Sequence, residues 1–99
     1  MSMIDRIIAE FVSGNGHLST PAGARGACYA ASAAFVHFAA DHGVPAEVVA
    51  VGGHPVAHFA VRAAGEVIDF TARQFDTGAD FPDRSVASGA GDTRPTAAA

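Results

Sequence analysis

The apolar positions near the start of the chain repeat with helical spacing. They follow the i, i+3, i+4, i+7, i+8 pattern of one helix face: Ile4, Ile7, Ile8, Phe11 and Val12. Ser2 and, three residues later, Asp5 resemble the capping box that begins a helix, with Asp in place of the usual Glu. The sequence therefore predicts a short amphipathic helix at the N-terminus.

The next stretches predict a loop and a second helix. Glycine and proline interrupt residues 13–26, so we expect a long irregular loop there. The alanine-rich run 27–42 predicts a helix that stops at Gly43 and Pro45. Because most of its sides are apolar, we expect this helix to be central and largely buried.

Three later runs have the composition or alternation of strands. They are residues 47–51, 56–62 and 66–71, separated by Gly52-Gly53 and by Ala64-Gly65. They predict a three-stranded antiparallel meander and, with the helices, an α+β fold. Residues 77–99 have Phe81 and Val86 as their large apolar side chains, so we expect a compact domain over 1–76 and a poorly ordered tail to which Phe81 could add a contact.

Composition excludes several classes of function. The 99 residues suit one domain, and the net charge of −4, with six arginines and no lysine, provides no basic patch for a nucleic acid. No apolar run is long enough to cross a bilayer, and Asp5, Arg6 and Glu10 stand where a signal peptide would be apolar. We therefore expect a cytoplasmic protein with neither a nucleic acid nor a membrane as partner.

The single cysteine, Cys28, can form neither an intramolecular disulfide nor a multi-thiolate zinc site. It stands at the predicted start of the second helix, where free backbone N–H groups and the helix dipole favour a thiolate. A thiolate paired with an imidazolium is the activated nucleophile of acyl transfer. His58, in the second predicted strand, is the candidate base.

A third residue follows from the second hairpin. If Ala64-Gly65 is a two-residue turn, paired positions sum to 129, so that Ala60 faces Asp69. His58 and Asp69 then share one face as diagonal neighbours, about 7 to 8 Å apart at Cα. A carboxylate at that distance can orient an imidazole and stabilise its protonated form.

Three stretches together resemble a known superfamily. They are residues 26–32 (GACYAAS), 58–62 (HFAVR) and 67–75 (VIDFTARQF), and they look like the small papain-like and transglutaminase-like cysteine enzymes. The resemblance implies a helix that begins at the cysteine, followed by strands that carry the histidine and the acidic residue. It implies Cys28 as nucleophile, His58 as general acid and base, and Asp69 as orienter. The expected substrate is a protein or peptide amide, and we expect neither a cofactor nor a metal.

The oxyanion hole and the substrate contacts are less defined. Papain-like enzymes usually supply a glutamine about six residues before the cysteine, where this chain has Ala22. Remaining candidates are the backbone N–H of Cys28 and the side chains of Gln74 and Asn15. Ser32, one helical turn after Cys28, could line the site. Arg73 and Gln74 could bind a substrate carboxylate or amide, or close the end of the strand.

Other interpretations stay open at this point. Glu47 is a rival orienter, because a two-residue turn at Gly52-Gly53 would place it opposite His58. His54 and His58 could bind zinc together with Cys28 or Asp69, which would make a metal-dependent hydrolase. The missing glutamine and the short chain also suit a non-catalytic binding protein, such as an adaptor or inhibitor. A core with so few large side chains could further use a second copy of the chain to cover the sheet.

Overall fold

The computed structural model describes residues 2–52, 57–87 and 93–95, and it shows an α+β fold. The helices are α1 (Met3–Ser13), α2 (Pro21–Ala24) and α3 (Cys28–Asp41), with two short 3-10 helices at Gly16–Ser19 and Ala72–Gln74. The strands are β1 (Ala46–Gly52), β2 (Ala57–Ala63), β3 (Glu66–Asp69), β4 (Asp83–Val86) and β5 (Thr93–Pro95). Val56, the first residue of the predicted second strand, lies outside the described residues.

Helix α1 begins with the predicted capping box. The Ser2 hydroxyl accepts the Asp5 backbone N–H at 3.2 Å, and the Asp5 carboxylate accepts the Ser2 backbone N–H at 3.3 Å. These two bonds satisfy backbone donors that the first helical turn leaves open. Four of the five predicted apolar positions are buried, and Val12 is half-buried against the same core.

Helix α3 begins at Cys28, one residue later than predicted, and Gly43 at φ +75° follows its end. The expectation that residues 13–26 are irregular is wrong, because this segment holds the first 3-10 helix and α2. Thr20 caps α2 by accepting the Gly23 N–H, and Pro21 occupies its first turn. Both elements are only four residues long, too short to show an apolar period. Within the described ranges, no helix combines the length and the apolar character needed to cross a membrane.

The sheet is antiparallel, with the strand order β4-β3-β2-β1-β5. Strands β1, β2 and β3 form the predicted meander, but the predicted number of three strands is wrong. Strand β4 flanks β3, and the three-residue β5 flanks β1. Every residue of β4 is exposed, as an edge strand allows, so its sequence carries no apolar pattern.

Part of the predicted tail contacts the domain. Phe81 packs, half-buried, against the core. Arg84 of β4 donates to both carboxylate oxygens of Glu66 in β3, at 2.7 and 2.8 Å, and reaches Asp5 of α1 at 2.8 Å. The Arg84 guanidinium therefore joins the start of α1 to the edge of the sheet.

The core lies between the helices and one face of the sheet. Its centre is a group of aromatic rings, in which Phe11 lies 5.2 Å from Phe35 and 5.0 Å from Phe70 between centroids. Val61 and Ile68, paired across β2 and β3, complete the sheet side of this cluster. The same packing holds α3 against β1 and β2.

Candidate active site

The β2–β3 turn sets the register of the candidate site. Ala64 and Gly65 have φ values of +53° and +76°, as a two-residue type I′ turn requires at both central positions. The pairs Val61 with Ile68 and Ala63 with Glu66 follow. The predicted turn and register are therefore confirmed, and they place His58 and Asp69 on the same face of the hairpin.

His58 and Asp69 are joined by a short hydrogen bond. His58 Nε2 lies 2.7 Å from Asp69 Oδ2, and the side chains are only 15 % and 18 % exposed. An ionised carboxylate can only accept, so Nε2 carries the proton of this bond. Nδ1 is then the ring nitrogen left for a further partner, and no described residue hydrogen-bonds to it.

The other oxygen of Asp69 is held by Thr71. Asp69 Oδ1 accepts the Thr71 backbone N–H at 2.9 Å and the Thr71 hydroxyl at 3.3 Å. Thr71 is 1 % exposed, so water competes little with Asp69 for the Thr71 hydroxyl. With both oxygens bonded, the Asp69 carboxylate is fixed in one orientation toward His58.

Gln74 connects this pair to the segment before Cys28. Its Nε2 donates to Thr71 Oγ1 at 3.2 Å, and its Oε1 accepts the Gly26 backbone N–H at 3.4 Å. Gly26 has φ +72°, a left-handed conformation that side chains other than glycine rarely adopt. A continuous series of hydrogen bonds therefore runs from Gly26 through Gln74, Thr71 and Asp69 to His58.

Cys28 is half-buried at the first position of α3. The Ala27 cap supplies no side-chain hydrogen bond, and the first bond of the helix runs from Ala31 N–H to Ala27 C=O at 2.8 Å. Within the described chain, the Cys28 N–H and its thiol have no hydrogen-bond partner. The next residue, Tyr29, packs edge-on against Phe59 at 5.2 Å, so the starts of α3 and β2 lie side by side.

The Phe75 ring packs against the His58 ring. The two rings meet edge-on with centroids 5.0 Å apart, although Phe75 itself is 72 % exposed. Phe75 directly follows the 3-10 helix Ala72–Gln74, which sets its position. Phe75 thus shields the imidazole while leaving most of its own surface to solvent.

Two of the predicted site residues lie apart from this group. The Asn15 side chain donates to the Phe11 carbonyl at 2.8 Å and closes the end of α1, so its amide is not directed at Cys28. Ser32 is 1 % exposed within α3 and belongs to the buried face of that helix, so it does not line an open site. Among the described residues, neither side chain is hydrogen-bonded to His58 or Asp69.

The sheet register excludes Glu47 as the orienting residue. Val51, not Glu47, is opposite His58, and Glu47 is paired with Arg62. The register differs from that of a two-residue turn because β1 ends at Gly52 and β2 begins at Ala57. Glu47 and Arg62 instead line a shallow cavity of about 280 Å³ at the far end of β2 from His58.

Arg73 has a structural role in this region. Its Nε donates to the Ala79 carbonyl at 2.8 Å, and its NH1 donates to the Ser19 carbonyl at 3.0 Å. The guanidinium also lies 5.8 Å from the centroid of the Phe81 ring. Of the two uses considered for Arg73, these contacts favour closing the strand end over binding a substrate.

The zinc interpretation gains no support. Among the described residues, no three His, Cys, Asp or Glu side chains form a group that could hold a metal ion. His54, which that interpretation requires, lies outside the described residues.

Sequence reasoning missed Thr71 and Phe75. The signal for Thr71 is the Asp-x-Thr spacing, because an aspartate side chain commonly accepts the N–H two residues later. No such local rule points to Phe75, whose ring reaches His58 only after the 3-10 helix has turned the chain.

The hydrogen-bonded group consists of His58, Asp69, Thr71 and Gln74, and the bond from Gly26 to Gln74 links it to the segment two residues before Cys28. This group is defined by its geometry, since the resemblance of its three sequence stretches is not established by comparison. Family models, curated proteins and solved structures, each compared with this chain, gave no match.

Proposed function

We propose that this protein is a cysteine-dependent acyl-transfer enzyme that acts on an amide of a protein or peptide. Cys28 is the nucleophile, His58 the general acid and base, and Asp69 the residue that orients the imidazole. The carrying observation is the 2.7 Å bond between His58 Nε2 and Asp69 Oδ2, which leaves Nδ1 for the thiol. A peptidase, a glutamine deamidase and a transglutaminase all share this acylation step.

In this mechanism the Cys28 thiol gives its proton to His58 Nδ1, and Sγ attacks the amide carbonyl carbon. The resulting imidazolium stays bonded to Asp69 through Nε2. The Cys28 backbone N–H, open at the start of α3, donates to the developing oxyanion. The C–N bond then breaks, Nδ1 returns its proton to the leaving amine, and the acyl group remains on Sγ as a thioester.

The second half of the reaction uses the same base. Nδ1 accepts a proton from water or from an incoming amine as that molecule attacks the thioester carbonyl. Sγ leaves and is protonated by the imidazolium, which regenerates the thiol. Water gives hydrolysis or deamidation, and an amine gives transamidation.

The architecture supports this assignment. A helix that begins at the cysteine packs against an antiparallel sheet, with the histidine on β2 and the aspartate at the end of β3. This order is the one that the papain-like and transglutaminase-like resemblance implies, and we extend that core fold to this chain as part of the proposal. The thiol and His58 are not hydrogen-bonded in the free protein, but catalytic hydrogen bonds are often long before substrate binds.

A binding protein without turnover is the second candidate. It is favoured by the state of the Cys28 thiol. Within the described ranges this thiol makes no hydrogen bond and forms no ion pair with His58. In that case the exposed Phe75 ring would serve a partner's apolar segment rather than a reaction. The two candidates differ in whether Cys28 forms a covalent intermediate.

The test uses p-nitrophenyl acetate as an acyl donor, with the intact mass of the protein as readout. The chain has one cysteine and no lysine, so an acetyl group on Cys28 is distinguished from one on the N-terminal amine by peptide mapping. We expect acetylation of Cys28 and its slow hydrolysis, both strongly reduced in His58→Ala, with Cys28→Ser as the control. Equal acetylation of wild type and His58→Ala would support the binding protein instead.

A further inference from the structure

We propose that Gln74 is a positioning residue, which couples the segment before Cys28 to the His58–Asp69 pair, and is not the donor of an oxyanion hole. This inference rests on the proposed function and adds a role that is separate from the three reacting residues. It follows from the direction of each hydrogen bond between Gly26 and His58.

The orientation of the Gln74 amide is set by its partner at Gly26. The Gly26 backbone N–H can only donate, so the oxygen of the amide must face it, as Oε1 does at 3.4 Å. The amide nitrogen then points to Thr71 Oγ1, at 3.2 Å. One of the two N–H groups of Nε2, the donor an oxyanion hole would need, is therefore engaged by Thr71, and that bond fixes the direction of the amide.

The Thr71 hydroxyl lies between Gln74 and Asp69 in this series of hydrogen bonds. Its single hydroxyl proton is donated to Asp69 Oδ1, so the oxygen is left to accept from Gln74. All donations then run the same way, from Gln74 to Thr71 and from Thr71 to Asp69. Hydrogen bonds aligned in this way polarise one another, and the negative charge at their end is the carboxylate that faces His58.

The other end of the Gln74 amide holds the segment before α3. Among the described residues no side chain caps α3, whose cap residue is Ala27. Gly26 and Gln74 are 48 positions apart in sequence, so their bond ties two distant segments. Loss of Gln74 would free both the approach to Cys28 and the hydroxyl that holds Asp69, and the thiol and the imidazole would lose their common frame.

A comparison of two reactions separates positioning from oxyanion binding. Alkylation of Cys28 by iodoacetamide displaces iodide at a saturated carbon and forms no oxyanion, whereas acetylation by p-nitrophenyl acetate forms one. A positioning residue affects both reactions through the thiol and imidazole. An oxyanion donor affects only acetylation.

We therefore measure both rate constants in Gln74→Ala, Gln74→Glu, Thr71→Val and the Gln74→Ala/Thr71→Val double variant, with Thr71→Ser as the matched control. The Gln74→Glu variant keeps the acceptor for Gly26 but has no N–H for Thr71, and its side chain has nearly the same shape as glutamine. We expect each of the three single losses to slow both reactions by about tenfold at pH 6.5, the effect of one functional hydrogen bond. The double variant should react at most about twofold more slowly than either single variant, because the two substitutions remove the same connection. Thr71→Ser keeps the hydroxyl and should therefore recover most of the rate that Thr71→Val loses in both reactions.

The outcomes separate the two proposals. If Gln74→Ala slows acetylation but leaves alkylation unchanged, Gln74 is an oxyanion donor and this inference is overturned, while the proposed function stands. If wild-type Cys28 reacts in both assays no faster than His58→Ala, the proposed function fails and this inference fails with it. Circular dichroism reports whether Gln74→Ala is folded. If it is not, the same comparison of acetylation with alkylation is made on Gln74→Glu.

Discussion

Asp69 Oδ2 lies 2.7 Å from His58 Nε2, across a hairpin in which the two residues are 11 positions apart. The bond depends on the register of this hairpin, because a slip of one residue would move Asp69 to the face opposite His58. The backbone of Ala64 and Gly65 thus determines the geometry of the proposed acid–base pair.

The first prediction concerns the charge of Asp69. In Asp69→Asn the neutral amide can present an N–H to Nε2, so the imidazole loses both its tautomer and its counter-charge. We expect acetylation of Cys28 to slow by at least about 100-fold, a typical contribution of acid–base catalysis. The control is Asp83→Asn, because Asp83 is exposed and lies directly opposite Asp69 in β4. Equal rates in the two variants would remove Asp69 from the mechanism.

The second prediction concerns the turn itself. Ala64 has φ +53°, which costs roughly 1 kcal/mol for a residue with a Cβ. Ala64→Gly should therefore raise the free energy of unfolding, by about 0.5 kcal/mol after the greater entropy of the unfolded chain is counted. The matched control is Ala34→Gly on the exposed side of α3, which should lower it by about 1 kcal/mol. Urea denaturation measures both, and destabilisation by Ala64→Gly would contradict the type I′ turn.

The third prediction compares two phenylalanines. Phe35 is fully buried among aromatic rings, whereas Phe75 is 72 % exposed. Phe35→Ala should cost about 3–5 kcal/mol, a large part of the stability of a small domain, and Phe75→Ala less than about 1 kcal/mol. Urea denaturation checks the difference. Phe75→Ala should in addition speed the modification of His58 by diethylpyrocarbonate, since the substitution uncovers part of the imidazole ring. An unchanged rate would show that Phe75 does not shield His58.

The fourth prediction concerns acid stability. The Ser2 hydroxyl, and then Arg84, hold the pKa of Asp5 below its ordinary value of 3.8. A carboxyl with a depressed folded-state pKa stabilises the protein above its unfolded-state pKa, and that contribution is lost as the pH falls through the folded-state value. The free energy of unfolding should therefore fall more steeply below about pH 4 in wild type than in Asp5→Asn. Ser2→Ala should flatten the curve more than Arg84→Lys does, and equal slopes in wild type and Asp5→Asn would refute this account.

Local sequence signals predicted the parts of the fold that depend on neighbouring residues. The capping box at Ser2, the α3 boundary at Gly43 and the turn at Ala64-Gly65 each arise from residues a few positions apart. The turn also fixed the His58–Asp69 bond, because a two-residue turn determines register. Apolar periodicity, read together with glycine and proline positions, was sufficient to expect an α+β fold.

Features that depend on distant contacts were not predictable in the same way. Strand β4 is polar because it is an exposed edge, and its pairing with β3 depends on contacts such as that of Arg84 with Glu66. The β1–β2 register could not be read from Gly52-Gly53, because residues 53–56 separate the two strands. Asn15 and Ser32 have suitable chemistry, but the ends and faces of their helices direct them elsewhere.

The pH dependence of Cys28 alkylation tests most directly whether Cys28 and His58 act together. An ordinary cysteine thiol ionises near pH 8.5 and becomes reactive only as the pH approaches that value. We predict that wild-type Cys28 reacts with iodoacetamide at a substantial and nearly constant rate from about pH 6 to pH 8, and that His58→Ala restores the steep rise of an ordinary thiol. A wild-type profile that coincides with that of His58→Ala would contradict the account.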